Sequence, residues 1–368
     1  MKFGHWFLAL TLTAGPAFCG EIVELGGFDA ECSYKFTGKV APGDAAKIDA
    51  LNTYGAAGAS LCLDSPGGSL LEGIAMFNAI WNSQMHTRVV KGDRCESACA
   101  IAWLGGGVEE GSLAVRFPSR SIEPGGILGF HAPSLNLPDG GSYPAKDVEN
   151  AFRIALTAAE GYFDIKLTTD DNVEALNDFL YARILETPGD SMFRVQTVAE
   201  ALMANVAVSA AKAPEKILKT NLVHLCENAY LVHRGVDVAL SDAAAHLQKL
   251  RDAAEPGERV GYVDETSWVV RMDGERRSQS VCVIRESTFG FFLGRAERYN
   301  AEGLYPNGRV DFPTISLSLQ KVDVWPGEPA QKVWDAVSDE LILTRDSIEM
   351  PHYAFYDGLT RLTDLPPH

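Results

Sequence analysis

At 368 residues with 46% apolar content, the chain is long enough to bury two cores and has the composition of a globular protein. Its formal net charge of -17, from 49 acidic against 32 basic residues, comes with no basic block, which argues against nucleic acid and anionic membrane surfaces as partners. Acidity speaks to solubility and says little about fold.

The N-terminus reads as an export signal rather than as structure. Lys2 and His5 open a short polar region, and Trp6 to Thr13 form an apolar stretch too short to span a bilayer. Ala17 and Cys19 are the small residues expected before a cut at Gly20. A lipoprotein cut before Cys19 is the alternative, and bulky Phe18 fits that signal badly. The expectation is that residues 1–19 leave and that the mature protein is periplasmic or secreted. No later run reaches about 18 apolar residues, so no stable membrane insertion is expected after cleavage.

Six cysteines then remain: Cys32, Cys62, Cys95, Cys99, Cys226 and Cys282. An even count in an exported chain points to disulfides. Cys32–Cys62 and Cys226–Cys282 are the expected pairs, each within one domain. Cys95 and Cys99 are left to bridge locally or to pack as small buried hydrophobes. No His or second Cys pair sits at ligand spacing, so no metal is expected.

Residues 33–40 alternate as a strand, Pro42-Gly43-Asp44 is a turn, and Asp44 is placed to cap a helix over 45–53. Ala59–Leu63 reads as a buried strand ending at Asp64-Ser65-Pro66-Gly67-Gly68. Leu70, Ile74, Phe77 and Trp81 have helical spacing, and Thr87–Val90 is the next strand. A charged loop leads to Ser97 and a small, helix-compatible run, and Ile127–Phe130 is a strand just before His131. Helices are expected over 146–164, 172–185 and 197–204, with Pro188-Gly189-Asp190 breaking the pattern. This alternation predicts α/β units with a parallel sheet over residues 20–210. A boundary is placed at 205–220. Residues 221–368 are expected to form a smaller β-rich (α+β) domain, with one helix over 242–253 and strands over 259–271, 279–286 and 314–324. Asp273-Gly274 is a hairpin signal between the first two strands.

Three special stretches each follow an expected strand, where α/β sheets bind ligands. Ser97 is a weak nucleophile until a base takes its proton, and taken alone it reads as a helix cap. Small Ala98, Cys99 and Ala100 are expected to let a substrate come close. Gly67 and Gly68 permit close backbone approach, which suits an oxyanion hole as well as it suits a plain turn. His131 is the histidine placed at a strand end, with a pKa range suited to proton transfer.

Leu63-Asp64-Ser65-Pro66-Gly67-Gly68-Ser69, Cys95-Glu96-Ser97-Ala98-Cys99-Ala100 and Gly129-Phe130-His131-Ala132-Pro133 follow one another within residues 33–205. Together they resemble the Clp protease proteolytic subunit of the ClpP/crotonase superfamily, and most of all its exported, periplasmic ClpP-like members. The resemblance implies an α/β spiral of ββα units. It implies Ser97 as nucleophile, His131 as general base, and an oxyanion hole from the N–H groups of Gly68, Gly67 and Ala98. Aligned on Phe193, the family's third catalytic residue falls at Ser191, so neighbouring Asp190 ranks first for that role. Asp170, Asp171 and Asp178 are the fallbacks, and a Ser/Lys dyad through Lys146 or Lys166 is the other arrangement. Glu96 departs from the small residue usual before the nucleophile, and the stretch between Ser97 and His131 is long enough to be a lid. A Cys95–Cys99 bridge would fix the elbow at Ser97.

The implied activity is that of an exported serine peptidase-like hydrolase acting on peptides or unfolded protein segments. It needs no cofactor, the sequence carries no phosphate-binding loop for ATP, and the resemblance suggests a homo-oligomer. The reading from a different class is a catalytically inactive ClpP-like scaffold that serves as a periplasmic binding protein. An acyl-CoA crotonase fits worse, because it has no need of a Ser97/His131 pair.

Overall fold

The computed structural model describes residues 20–367 apart from 28–29, 53–56, 111–114, 135–140, 168, 171–172, 213, 215–217, 235–242, 255–258, 265–266, 274–277, 288–313, 325–327 and 338–347. The expected signal peptide, Asp171, and Gly274 of the hairpin signal lie outside the described residues.

In chain order the first elements are β1 Glu21–Glu24, β2 Tyr34–Thr37, α1 Asp44–Asn52, β3 Ser60–Asp64, α2 Leu70–Asn82 and β4 His86–Val89. Then come β5 Arg94–Glu96, α3 Ala98–Trp103, β6 Gly107–Glu110, β7 Val115–Pro118, β8 Arg120–Ile122 and β9 Ile127–Phe130. They are followed by α4 Ala145–Leu167, β10 Thr169–Asp170, β11 Val173–Glu174, α5 Asp178–Glu186, β12 Phe193–Arg194, α6 Val198–Met203 and β13 Ala207–Val208. The molecule is thus mixed α/β. A six-stranded sheet has the order β1-β2-β3-β4-β8-β13. Its first pair is antiparallel and the rest are parallel. A smaller sheet has the order β12-β9-β5, with β5 parallel to β9. The chain alternates between the two: β4 runs in the large sheet and β5 in the small one before α3, and β8 and β9 repeat that step before α4. A Ser65–Cys95 bridge joins the end of β3 to β5.

Packing explains the composition of these elements. β3 reads Ser-Leu-Cys-Leu-Asp because it is covered on both faces, and Leu61, Cys62 and Leu63 are fully buried. α2 sinks Met76, Phe77, Ile80 and Trp81 into the core, each worth about 1.5–3 kcal/mol by burial. Ser69 caps α2 by accepting from the Glu72 N–H. The amides around the start of α1 are met from another helix: Glu72 accepts from the N–H of Gly43, just before α1, and of Ala45 in its first turn, at 3.1 and 2.8 Å. α3 is buried along its whole length. A Cβ on Gly73 of α2 would lie 2.5 Å from the Ala98 carbonyl oxygen, so the two helices touch backbone to backbone. This corrects the expectation for Ala98, Cys99 and Ala100: they are small because α3 is packed tightly, not because a substrate reaches them.

The stretch expected as a lid is mostly the hairpin β6–β7 and the buried strand β8, so it belongs to the body of the fold. The helix expected over 172–185 starts at Asp178, where Asn177 caps it by accepting from the Leu180 N–H, and β11 precedes it.

The remaining elements are α7 Lys219–Arg234, α8 Ala243–Ala253, β14 Val260–Asp264, β15 Ser267–Asp273, β16 Ser278–Ser287, β17 Thr314–Asp323, α9 Ala330–Asp335 and β18 Ile348–Glu349. The five strands form one antiparallel sheet in sequence order. Residues 259–271, expected as one strand, are two: Val260 pairs with Val270, so the chain reverses between them. α7 was not expected, although Leu222, Leu225, Cys226 and Ala229 have the spacing of a buried helical stripe. Glu227 of α7 is buried and held by Arg251 and Arg259, each within 2.8 Å. Burial alone would raise its carboxyl, but His224, Arg251 and Arg259 outweigh that and hold it at about 2. Residues 350–367 return to the first sheet's side, where Leu362 N–H donates to the Gln196 carbonyl and Tyr353 Oη to that of Val206. One continuous apolar core therefore runs from Phe36 to Leu365.

All three disulfides are formed: Cys32–Cys62, Cys95–Cys99 and Cys226–Cys282. The first and third are the pairs expected, and the local bridge is formed between the two cysteines that flank Ser97. Three disulfides fit a protein exported to an oxidising compartment. Among the described residues no helix is long and apolar enough to cross a membrane.

Candidate active site

The strands β3, β5 and β9 each end at one of the special stretches. Gly67 and Gly68 follow β3, Ser97 follows β5 and His131 follows β9. Because β5 and β9 are parallel neighbours, with Glu96 opposite Gly129, their carboxyl ends emerge side by side. Pairing continues one residue beyond β5, through the Ser97 N–H to the Gly129 carbonyl at 2.9 Å.

Ser97 has φ 57° and ψ -126°. A side chain other than glycine is rarely held at such a φ, and the conformation costs on the order of 1–3 kcal/mol. Its hydroxyl makes no capping bond to α3. The cap role that the residue type alone suggests is therefore unused. Instead the hydroxyl lies 2.8 Å from His131 Nε2. His131 Nδ1 lies 2.6 Å from the carbonyl oxygen of Ala132. A carbonyl only accepts, so Nδ1 must carry the proton. Nε2 of the neutral ring then has its lone pair toward Ser97 and accepts from the hydroxyl. This is the tautomer a general base needs. Both residues are half-buried.

The third position differs from the expectation. The group that fixes His131 is the backbone carbonyl of Ala132, and Ala132 is itself tied through its N–H to the Thr187 carbonyl at 2.8 Å. Asp190 is exposed in the turn that follows, where Ser191 N–H donates to the Pro188 carbonyl, and it makes no hydrogen bond to His131. Asp178 pairs with Lys166 at 2.7 Å, at the start of α5. Asp170 lies in the short β10–β11 ladder, opposite Val173. Lys166 is occupied by Asp178 and Glu174, and the hydrogen bond to Asp178 holds its ammonium above the usual lysine range. Lys146 is exposed on α4. Among the described residues, neither lysine bonds Ser97.

The glycines lie against the elbow. A Cβ on Gly67, whose φ is +91°, would fall 2.6 Å from the Glu96 carbonyl oxygen and 2.7 Å from Ser97 Cβ. No other residue type fits that bed. The Gly67 N–H is spent on Ser65 Oγ at 3.1 Å, which removes it from the expected oxyanion donors. Gly68 sits beside Val40, but the bridge there uses the Gly67 carbonyl and the Ser69 N–H. The Gly68 N–H is thus left pointing away from that bridge. The Ala98 N–H is the first amide of α3 and has no carbonyl one turn earlier in the helix.

Glu96, which precedes Ser97, is mostly buried and ion-paired: its Oε1 lies 2.8 Å from Arg194 Nε. Arg194 also lines a cavity of about 640 Å³ with Thr187, Ser191, Met192, Phe193 and Glu200. That cavity adjoins the site. Phe193 pairs with Phe130 just before His131, and a Cβ on Gly129 would meet Met192 at 2.8 Å.

Sequence reasoning missed two of these partners. Arg194 lies 98 residues from Glu96 along the chain, and no local spacing connects them. Ala132 acts through its backbone, which no side chain reveals. The chain matches no family model and no curated protein.

Proposed function

We propose that the protein is an exported serine peptidase-like hydrolase with Ser97 as nucleophile and His131 as general base. One observation carries the reading: a serine held at a positive φ between a strand and a helix, its hydroxyl on the unprotonated nitrogen of a histidine whose tautomer is fixed. The alternation of β4-β5-α3 and β8-β9-α4 between two sheets supports the ClpP-like spiral of ββα units that the three motifs resemble.

On this reading His131 Nε2 takes the Ser97 proton as Oγ attacks the substrate carbonyl. The N–H groups of Gly68 and Ala98 receive the oxyanion, and each such donor is worth about 2.7–4 kcal/mol in the transition state. His131 then protonates the leaving amine, and water repeats the sequence to free the acyl group. The Ala132 carbonyl supplies orientation but no charge, so the imidazolium gains less than from an aspartate. Glu96 leaves the oxyanion undisturbed because Arg194 neutralises it. The adjoining cavity of about 640 Å³, rimmed by Arg194, Glu186 and Glu200, suits extended peptide or unfolded segments of polar character.

The experiment is digestion of an unfolded-protein and peptide mixture by the mature protein, with cleavage products read by mass spectrometry. Cleavage that disappears in Ser97→Ala and in His131→Ala supports a peptidase. Products that persist in both variants overturn it. The scaffold reading draws on the exposure of Asp190, and it is favoured if the wild type leaves the mixture uncut yet retains one component of it.

A further inference from the structure

We propose that the Cys95–Cys99 disulfide is a positioning device for Ser97, setting the nucleophile's backbone rather than merely stabilising the fold. The inference rests on the serine-hydrolase reading and extends it to the residues that hold the elbow. Cys95 lies in β5, in register with Leu128 of β9 and bridged to Ser65. Cys99 lies in the first turn of α3. The bond therefore joins the strand and the helix on either side of Ser97 and closes a ring whose central residue is the nucleophile.

β5 is paired with β9 and Ser65, and α3 is packed on α2, so each side of the elbow is anchored in the fold while Ser97 itself carries few ties across it. The Ser97 hydroxyl is committed to His131 and gives α3 no cap. The Ser97 backbone has one bond to β9, through its N–H to Gly129, and one to α3, through its carbonyl to the Ile101 N–H at 3.3 Å. Each of these ties holds one side of the residue through a single hydrogen bond. What the positive φ requires is that strand and helix be held at a fixed approach across Ser97, and the disulfide spans that gap. Gly67 closes the same gap from below, with room only for a hydrogen. Both sulfurs are buried in the core, in residues with 0% exposure. A thiol pair there would supply the same packing but no tether. Cys32–Cys62, by contrast, ties the loop before β2 to β3 and does not span Ser97.

The test uses the mature chain and a fluorophosphonate, which reacts covalently with an activated serine. The variants are Cys95→Ala/Cys99→Ala, Cys95→Val/Cys99→Ala to refill the buried volume, and Cys32→Ala/Cys62→Ala as a second disulfide lost elsewhere. Rate and final stoichiometry of labelling are read separately, below each variant's unfolding temperature and across pH. A fold defect lowers the fraction of chains that can ever be labelled. Lost positioning lowers the rate while labelling still runs to one adduct per chain. The expected result is a rate about tenfold to a hundredfold lower in both elbow variants. Its pH midpoint stays unchanged, and Cys32→Ala/Cys62→Ala labels at the wild-type rate. Equal rates in wild type and elbow variants overturn the positioning role and leave the hydrolase reading standing. A loss of stoichiometry at unchanged rate also overturns it, assigning the bond to the fold alone. A wild type that takes no label overturns the hydrolase reading and the inference with it.

Discussion

Gly67→Ala tests how the elbow is supported, and Gly92→Ala provides a matched control. The two glycines have nearly the same φ, +91° and +89°. An alanine at either position carries the left-handed penalty of about 1–2 kcal/mol. Each also gains the same small amount, about 0.4–1 kcal/mol, from a stiffer unfolded chain. They differ in their surroundings. A Cβ at Gly92 meets nothing within 4 Å, whereas one at Gly67 falls 2.6 Å from the Glu96 oxygen, 2.7 Å from Ser97 Cβ and 3.1 Å from the Ala98 nitrogen. Two of those three are backbone atoms, which cannot swing aside, so overpacking adds about 1–3 kcal/mol at Gly67 alone. Urea unfolding of both variants should show that difference. Relief of the clash also moves Ser97, and a displacement approaching 1 Å costs up to about a hundredfold in reactivity. Phosphonate labelling should therefore collapse in Gly67→Ala and hold in Gly92→Ala. Equal destabilisation of the two variants, with labelling intact in both, would refute the claim that Gly67 is the bed of the elbow.

Asp190→Ala should label within about threefold of wild type, because the Ala132 carbonyl fixes His131; loss of a true triad aspartate costs about ten-thousandfold, and a drop of that size would restore Asp190 to the triad. Arg194→Ala leaves the Glu96 carboxylate unpaired beside Ser97 and should slow labelling about tenfold, the scale of a lost charge-assisted bond, with Glu96→Ala in the same chain restoring it. Failure of that rescue would detach the pair from the site. Stability should fall in acid through His86, which hydrogen-bonds Ser119; burial first, and then Arg88, lower it from 6.5 to about 4. The native state keeps this ring neutral while the unfolded chain takes up a proton. Its contribution is thus full above pH 6.5 and is lost as the pH falls toward 4, by up to about 3 kcal/mol. Urea midpoints of His86→Gln should be flatter over that window, and an unchanged slope would contradict the assignment.

Much of the first half of the fold was legible because its signals are local. Ile127–Phe130 is a strand as expected, α4 extends the expected helix by a few residues, and β3 and α2 lie where the buried run and the helical spacing place them. Ser97, His131, Gly67 and Gly68 were legible as a set because each follows a strand and their order is distinctive. What was hidden depends on contacts across the chain. β5 is a three-residue strand with charged ends, and it exists because β9 and Ser65 pair with it, not because of its own pattern. The partner of Glu96 and the cap of α1 both come from distant elements. Asp190 was favoured on chain position, but one residue of offset in a turn points a side chain elsewhere. The path of residues 350–367 back to α6 runs through backbone hydrogen bonds, which carry no sequence signature.

The central claim is that Ser97 is a nucleophile activated by His131. It is tested most directly by intact-mass measurement of the fluorophosphonate-treated mature protein, with the adduct located by peptide mapping. The account predicts one adduct per chain, on Ser97, formed in Asp190→Ala and absent from Ser97→Ala and His131→Ala. A wild type that stays unmodified across the pH range, or an adduct carried on another serine, would contradict it.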